Sequence, residues 1–238
     1  VNEIDAVKGP DKFLPHLLGH EGYARVLEVG QGVKTVAPGD LVVMHWRPGS
    51  GIEANFAKYS WNEREISGGK VTTLAEEVVI SENRVTPVDK DIDSEFCSLL
   101  GCGLSTGFSV INKDANIKFG ETVLVIGCGG VGLSAIMIAK AIGATVYAVD
   151  INDAALKIAE SLGAETINSS KVDPIAYLQN LGGADVSVDA LGSKATAGAS
   201  VLSLARRGRH LQLGLLITPN GLSEIPMARV IAWEIDLL

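Results

Sequence analysis

The chain has 238 residues, of which 47% are hydrophobic and 20% charged, as in globular proteins rather than disordered chains or coiled coils. Its formal net charge is −8, and its one tight basic cluster is Arg206, Arg207 and Arg209, so neither nucleic acid nor an anionic membrane surface is expected as a partner. Three cysteines argue against a secreted disulfide framework and for the reducing cytoplasm. No run of about 18 apolar residues occurs, so no membrane span is expected.

The sequence begins with Val1, not Met, and stops at Leu238 inside an apolar run that no turn residue follows. Strands and helices usually finish with Gly, Pro or polar residues. We therefore expect a segment of a longer protein, with part of a functional site outside it.

The first part of the chain, up to residue 104, has short strand-like runs separated by glycine-rich turns. The predicted strands are Tyr23–Val29, Leu41–Met44 and Glu77–Ile80. The stretch Trp46–Lys70 is polar and has no periodicity, and we interpret it as a long surface lobe. A β-rich domain over residues 1–104 is predicted.

From residue 105 onward, short runs rich in β-branched residues alternate with helical patterns. The predicted strands are Thr122–Ile126, Thr145–Val149, Glu165–Ile167, Val186–Ala190, His210–Leu213 and Ile235–Leu238. The predicted helices are Val131–Ile142, Ala154–Leu162, Pro174–Leu181, Ala195–Ala205 and Pro226–Trp233. This alternation is typical of a doubly wound parallel sheet. Residues 105–238 are therefore predicted to form an α/β domain with six strands.

A glycine-rich turn follows the first of these strands. Gly127, Gly129 and Gly132 form G-x-G-x-x-G between a strand and an amphipathic helix, which is the context that dinucleotide binding requires. Gly127 permits the tight turn, Gly129 lets a pyrophosphate approach the backbone, and Gly132 lets helix and strand pack closely. The helix N-terminus then attracts the phosphates. The alternative is a glycine turn that serves packing alone.

Asp150 ends the next strand, 23 residues after Gly127. A carboxylate there can accept hydrogen bonds from both hydroxyls of the adenosine ribose and would repel a 2′-phosphate, so NAD is favoured over NADP. Lys157, further along, is a second candidate for the ribose. Cys128, inside the glycine turn, is interpreted as a small filler rather than a redox thiol.

His20 and Cys102 are candidate metal ligands. Imidazole and thiolate suit zinc, and a catalytic zinc needs three protein ligands and one open position. Glycines flank both residues, in Gly19–Glu21 and Gly101–Gly103, and allow backbone and metal to approach closely. Glu21 is either a carboxylate beside the ligands or a ligand that exchanges with water. On residue type alone, a core histidine and a buried cysteine are the alternative.

The chain resembles the zinc-containing alcohol dehydrogenases of the medium-chain dehydrogenase/reductase superfamily. The matching segments are Gly19–Asp40, Gly101–Gly107, Val123–Ala144, Val146–Ile151, Leu162–Glu165 and Asp185–Gly192. The resemblance implies an incomplete GroES-like catalytic domain followed by a Rossmann NAD-binding domain. It also implies hydride transfer between a primary or secondary alcohol and NAD, with zinc as Lewis acid.

The resemblance further implies roles for individual residues. His20 and Cys102 match catalytic zinc ligands, Glu21 matches a carboxylate that can reach the metal, and Asp150 and Lys157 match the residues at the adenosine ribose. The residues that match the phosphate loop are Gly127, Gly129, Gly130, Val131 and Gly132. The residues that match the nicotinamide half are Thr106, against the ring, and the backbone of Leu191, Leu213, Gly214 and Leu215.

The chain departs from the family pattern in several places. No cysteine precedes Cys97, so the family's other cysteine ligand has no counterpart, and the hydroxyl of its proton relay has none either. Trp46–Lys70 corresponds to the family's four-cysteine lobe but contains no cysteine, so no structural zinc is predicted. Ala24 replaces a usual glycine, and the family continues after its sixth strand, where this chain stops at Leu238.

The expected substrates are a small alcohol and its aldehyde or ketone. A polyol or sugar-derived alcohol is one hypothesis, since His45–Phe56 lacks features of the ethanol enzymes. One rival is a zinc-free reductase of the superfamily, which should lack His20 and Cys102; another is a truncated NAD-binding fragment without catalysis. In the family the last strand, here Trp233–Leu238, pairs across a two-fold axis, so a homodimer or homotetramer is expected.

Overall fold

The structure is a computed structural model and describes residues 14–216 and 225–238. These residues fall into two compact units, one ending at Ser105 and the other beginning at Thr106. No helix within the described ranges is long and apolar enough to cross a membrane.

The first unit is built around a three-stranded antiparallel sheet. Its strands, in the spatial order β1-β2-β5, are β1 (Gly22–Arg25), β2 (Leu41–Met44) and β5 (Val85–Pro87). The strand β2 lies in the middle and buries Val42, Val43 and Met44, so it matches its predicted bounds. The helix α1 (Ser94–Leu99) follows, with Asp93 as its N-cap.

One strand prediction in this unit is too long and another is wrong, because the residues concerned are exposed. β1 ends at Arg25, and the predicted continuation to Val29 leaves Leu27 and Val29 exposed. Glu77–Ile80 forms no strand; Val79 is 71% exposed, and its N–H donates to the Tyr59 hydroxyl.

The stretch Trp46–Lys70, interpreted as a long surface lobe, contains two strands that its lack of periodicity did not predict. β3 (Lys58–Trp61) and β4 (Arg64–Ser67) pair there as an antiparallel hairpin. Asn62 and Glu63 connect them with φ of 48° and 62°, the left-handed geometry that a two-residue hairpin turn needs. No glycine occupies the turn, so the usual sequence signal for it is missing.

A buried glutamate joins the loops of the first unit. Glu82, in the one-turn 3-10 helix Glu82–Arg84, accepts hydrogen bonds at Oε1 from the N–H groups of Lys34 (2.7 Å) and Thr35 (2.8 Å). Its Oε2 accepts from the N–H of Ile52 (2.8 Å). These backbone donors favour the charged carboxylate and lower the pKa of Glu82 to about 2. The side chain therefore fixes two loops that have no strand partner.

The second unit contains a six-stranded sheet in which every pairing is parallel. The strands are β6 (Thr122–Ile126), β7 (Thr145–Asp150), β8 (Glu165–Asn168), β9 (Ala184–Asp189), β10 (Leu204–Gln212) and β11 (Asp236–Leu237). The helices are α2 (Gly103–Ser109, which begins just before the unit), α3 (Gly130–Ile142), α4 (Asp153–Ser161), α5 (Pro174–Asn180), α6 (Lys194–Leu202) and α7 (Met227–Trp233). The predicted α/β fold with six parallel strands is confirmed.

The sheet is covered on both faces, which explains the continuous apolar runs of its strands. Along β6, Val123 and Val125 belong to one buried cluster, while Leu124 and Ile126 belong to the other. Successive side chains of a strand point to opposite faces, so both sets must be apolar.

The strand β10 begins earlier than predicted. The helix α6 ends at Leu202, and Leu204 is fully buried and pairs with Ala184, whereas the sequence favoured helix as far as Ala205. The register between β9 and β10 shifts between Leu204 and Arg209, and Arg207 has a φ of 63°. This irregular start interrupts the apolar pattern by which a strand is recognised.

The order of the strands defines where a ligand can bind. The spatial order is β11-β10-β9-β6-β7-β8, so the chain runs outward from β6 to β8 and then returns to the other side of β6. In open α/β sheets, ligands bind at the carboxyl ends of the strands where the order reverses. The loops after β6, β9 and β10 lie at this edge.

The bonds of Glu82 predict an acid-sensitive first unit. Its pKa is lowered in the fold, so its contribution to stability is present above about pH 4.5 and is lost as the pH falls towards about 2. We expect Glu82→Gln to lower the melting temperature at pH 7, with a difference from the wild type that shrinks as the pH approaches 2. Thermal unfolding followed by circular dichroism over this pH range measures it.

The control is Glu65→Gln, because Glu65 is exposed and forms an ion pair with the exposed Lys58. Its melting temperature should stay near that of the wild type. A Glu82→Gln difference that stayed constant from pH 7 to pH 2 would contradict this account.

Candidate functional site

The glycine turn after β6 combines two steric requirements with open space. Gly127 has a φ of +96°, and a Cβ on Gly132 would lie 1.8 Å from the Gly127 carbonyl oxygen. The fold therefore requires glycine at both positions. A Cβ on Gly129 or Gly130 would meet no atom within 4 Å. The backbone at these two positions is open, as close approach of a pyrophosphate requires.

The helix α3 presents its N-terminus at this turn. It begins at Gly130 with Gly129 as N-cap, and the N–H of Leu133 donates to the Gly129 carbonyl (2.8 Å). The N–H groups of Gly130, Val131 and Gly132 come before this first helical bond and have no carbonyl partner within the helix. Such groups and the helix dipole bind phosphate. The turn therefore fits the phosphates of a dinucleotide.

The side chain of Asp150 is hydrogen-bonded to the backbone of the glycine turn. At the end of β7, its Oδ2 accepts from the N–H of Cys128 (2.7 Å), and its Oδ1 accepts from the N–H groups of Ile151 (2.7 Å) and Asn152 (2.9 Å). The carboxylate is half-buried, and because an oxygen of this kind can accept two hydrogen bonds, Oδ2 can accept one more. Lys157 lies on α4 with an exposed side chain. The residues on this side fit an adenosine ribose.

Cys128 is a packing residue. Its side chain is 3% exposed, and its Sγ lies 3.8 Å from the Val149 carbonyl oxygen. Burial and the negative charge of Asp150 raise the pKa of the thiol to about 12. This agrees with its interpretation as a filler.

The loops after β9 and β10 lie against each other. A Cβ on Gly214 would lie 2.1 Å from the N atom of Gly192, so the two backbones are in contact. A Cβ on Gly127 would lie 3.3 Å from the N atom of Leu191, which puts the loop after β9 beside the glycine turn. Leu191 and Leu215 are exposed, and Leu213 is partly buried.

Asp189, which ends β9, is a residue that the sequence prediction missed. Its side chain is fully buried and accepts hydrogen bonds from the N–H groups of Leu191 and Gly192, both at 3.0 Å. The available signal was its position, since Asp150 likewise ends a strand and precedes a turn. Thr106 is on α2 and is half-buried.

In the first unit, the fold brings Glu21 to the turn that contains Cys102. A Cβ on Gly101 would lie 2.1 Å from the Met44 carbonyl oxygen and 2.8 Å from the Glu21 Cβ, so only glycine allows this contact. The N–H of Gly103 donates to Glu21 Oε2 (2.9 Å). Glu21 therefore supports the turn on which Cys102 lies.

The three predicted zinc ligands do not form a ligand set in this arrangement. His20 is exposed, while Glu21 and Cys102 are partly buried. Within residues 14–216 and 225–238, no three His, Cys, Asp or Glu side chains are grouped so that they could hold a metal ion. A catalytic zinc needs three protein ligands, so the described side chains do not fit one.

The sheet order and the glycine turn define a Rossmann-type α/β fold. Residues 1–90 match the model of the alcohol dehydrogenase GroES-like domain, and residues 130–238 match that of the zinc-binding dehydrogenase domain. Alcohol dehydrogenase 6 of Peromyscus maniculatus is 38% identical over an alignment of 178 residues that covers 64% of this chain and 47% of that protein. The chain thus spans about half the length of this curated relative.

Solved structures agree with these matches. Benzyl alcohol dehydrogenase from Acinetobacter calcoaceticus superposes with a TM-score of 0.80 at 25% identity, covering 99% of this chain and 72% of that one. The alcohol dehydrogenase of the archaeon Aeropyrum pernix gives a TM-score of 0.76 at 29% identity, covering 94% of this chain and 67% of that one. The two domain models together match most of the chain, which belongs to the zinc-containing alcohol dehydrogenase family.

The steric difference between two glycines of the turn is testable. Gly132→Ala places a Cβ against the Gly127 carbonyl oxygen and is expected to cost about 1–3 kcal/mol of unfolding free energy. Gly129→Ala meets open space at a φ of −80° and should stay within about 0.5 kcal/mol of the wild type. Urea unfolding measures both variants. Equal losses for the two variants would contradict the described packing.

Proposed function

We propose that the chain acts in NAD-dependent alcohol oxidoreduction, in which hydride passes between a primary or secondary alcohol and NAD. The observation that carries the proposal is the glycine turn at the reversal point of the sheet, with Asp150 bonded to its backbone. Membership of the alcohol dehydrogenase family supports the reaction class.

In this proposal, different loops bind the adenosine half and the nicotinamide half of the cofactor. The pyrophosphate lies on the N–H groups of Gly130, Val131 and Gly132, and Asp150 binds the adenosine ribose with Lys157 nearby. The nicotinamide half then extends to the opposite side of β6. The backbone there is that of Leu191, Leu213, Gly214 and Leu215, and Thr106 packs against the ring. NAD supplies the hydride acceptor, while these residues bind and orient it.

The substrate, assembly and location are parts of the same proposal. The substrates are a small alcohol and its aldehyde or ketone. A homodimer or homotetramer is expected, because β11 (Asp236–Leu237) is an edge strand and Leu238 beside it is 56% exposed. The expected location is the cytoplasm. The domain boundary between residues 104 and 105 stays a prediction.

Membership of the alcohol dehydrogenase family is what supports a catalytic zinc. His20, Glu21 and Cys102 stay the predicted ligands of one catalytic ion, and no structural zinc is predicted. The described residues group no three ligands, so this part of the proposal rests on the family alone. Elemental mass spectrometry of the purified chain tests it, because the prediction requires about one zinc per chain. NADH formation from NAD should require an added alcohol. A folded chain that binds NADH without zinc and without turnover would contradict the catalytic proposal and leave the nucleotide site standing.

Asp150 is expected to set the cofactor preference. The wild type should bind NADH at least about tenfold more tightly than NADPH, because the carboxylate accepts a hydrogen bond from the ribose and repels a 2′-phosphate. Asp150→Asn removes the negative charge with little change of shape and should reduce this ratio. Fluorescence titration with both reduced cofactors measures it.

The matched control is Asp153→Asn on α4, whose carboxylate forms an exposed ion pair with Lys171 (2.9 Å). This variant should keep the preference of the wild type. An Asp150→Asn variant with an unchanged NADH-to-NADPH ratio would show that the ribose is recognised elsewhere.

A further inference from the structure

Asp189 is a fully buried carboxylate whose partners lie on three segments of the second unit. Its Oδ1 accepts from the N–H groups of Leu191 and Gly192 in the loop after β9. Its Oδ2 accepts from the hydroxyl of Thr196 on α6 (3.1 Å) and from Nε2 of Gln212 at the end of β10 (2.9 Å). Two oxygens that accept four hydrogen bonds leave little freedom to the groups around them.

The same residue holds the loop after β10. The backbone carbonyl of Asp189 accepts from the N–H groups of Leu213 (3.0 Å) and Gly214 (2.8 Å). Gln212 completes the connection, because its Nε2 also donates to the Gly214 carbonyl (2.9 Å). Asp189 therefore fixes the loops after β9 and β10. The backbone contact between Gly192 and Gly214 depends on the distance between these two loops.

These loops lie on the side of the sheet away from Asp150. β7 neighbours β6 on one side, while β9 and β10 follow on the other. A dinucleotide with its pyrophosphate on the turn after β6 and its adenosine at the end of β7 must extend its second half towards β9 and β10.

We propose that Asp189 is a positioning residue for the nicotinamide half of the cofactor. The inference rests on the proposed function. Asp189 touches no cofactor atom in this role; it sets the position of the backbone at Leu191, Gly192 and Gly214, which faces the ring. Its described side-chain hydrogen bonds include none with the glycine turn or with Asp150, so the adenosine half is expected to depend on it less than the nicotinamide half does.

Two substitutions disturb this arrangement by different routes. Asp189→Asn replaces one acceptor oxygen by an NH₂ group. This donor then faces other donors, either the backbone N–H groups of Leu191 and Gly192 or the side-chain amide of Gln212. Gln212→Met keeps the length of the side chain and the charge of Asp189 but removes the donor shared by Asp189 and Gly214. If the Asp189→Asn variant does not fold, the Gln212→Met variant alone tests the inference.

The experiment compares NADH with ADP-ribose, which has the adenosine, the pyrophosphate and the second ribose but no nicotinamide. Calorimetric titration of the full chain gives both dissociation constants. In each variant, the constant for NADH should rise about tenfold, while that for ADP-ribose should stay within about twofold of the wild type. A general loss of structure would weaken both ligands alike.

The matched control is Asp185→Asn, at the other end of β9. Asp185 Oδ2 accepts from the N–H of Thr122 (2.8 Å), so this variant also removes a carboxylate that bonds to backbone. It should leave the ratio of the two dissociation constants unchanged.

An equal loss for both ligands in Asp189→Asn and Gln212→Met would overturn the inference, because it would show a general structural role. Unchanged NADH affinity in both variants would overturn it as well. A wild type that binds neither ligand would overturn the proposed function itself and the inference with it.

Discussion

A carboxylate that accepts backbone N–H groups is the interaction on which the loops of this protein depend. Such N–H groups lie in loops or at the start of a helix and have no ladder partner, and an unpaired buried donor is costly. Glu82 supplies the acceptor in the first unit, and Glu21 does so for the turn of Cys102. Asp150 and Asp189 supply it at the carboxyl edge of the parallel sheet. Because a carboxylate accepts several bonds at once, one side chain can fix a whole turn.

Glycine supplies the complementary constraint, because it permits the close contacts that these carboxylates hold in place. Gly132 touches the Gly127 carbonyl beside the bond from Asp150, and Gly192 touches Gly214 beside the bonds from Asp189. A contact of this kind excludes every side chain, and a hydrogen bond to a fixed acceptor determines the direction of the backbone. Together the two effects give loops with one conformation, which a bound cofactor needs if it is to be oriented rather than only attracted.

The sequence predicted the second unit far better than the first, for a physical reason. The strands of the parallel sheet bury both faces, so their apolar runs are continuous and bounded by helices with recognisable N-caps such as Asn152 and Asp173. In the first unit the strands are three or four residues long, and of its described strands only β2 is mostly buried. The hairpin turn at Asn62 carries no glycine. Asp150 was predictable from its distance to a glycine motif. The position of Asp189 at a strand end was also visible, but its role was not, because its partners Thr196 and Gln212 come together only in the folded sheet.

The two aspartates at the sheet edge differ in a way that separates specificity from positioning. Asp150 is half-buried, so the same carboxylate that holds the N–H of Cys128 is also open to a ribose. Replacing it to admit a 2′-phosphate would also remove the acceptor of three backbone N–H groups, which couples cofactor preference to the stability of the turn. Asp189 has no exposed surface and can act on a ligand only through the loops it holds. Under the proposed function, changes at Asp150 alter recognition and structure together, whereas changes at Asp189 alter the position of the backbone that faces the cofactor.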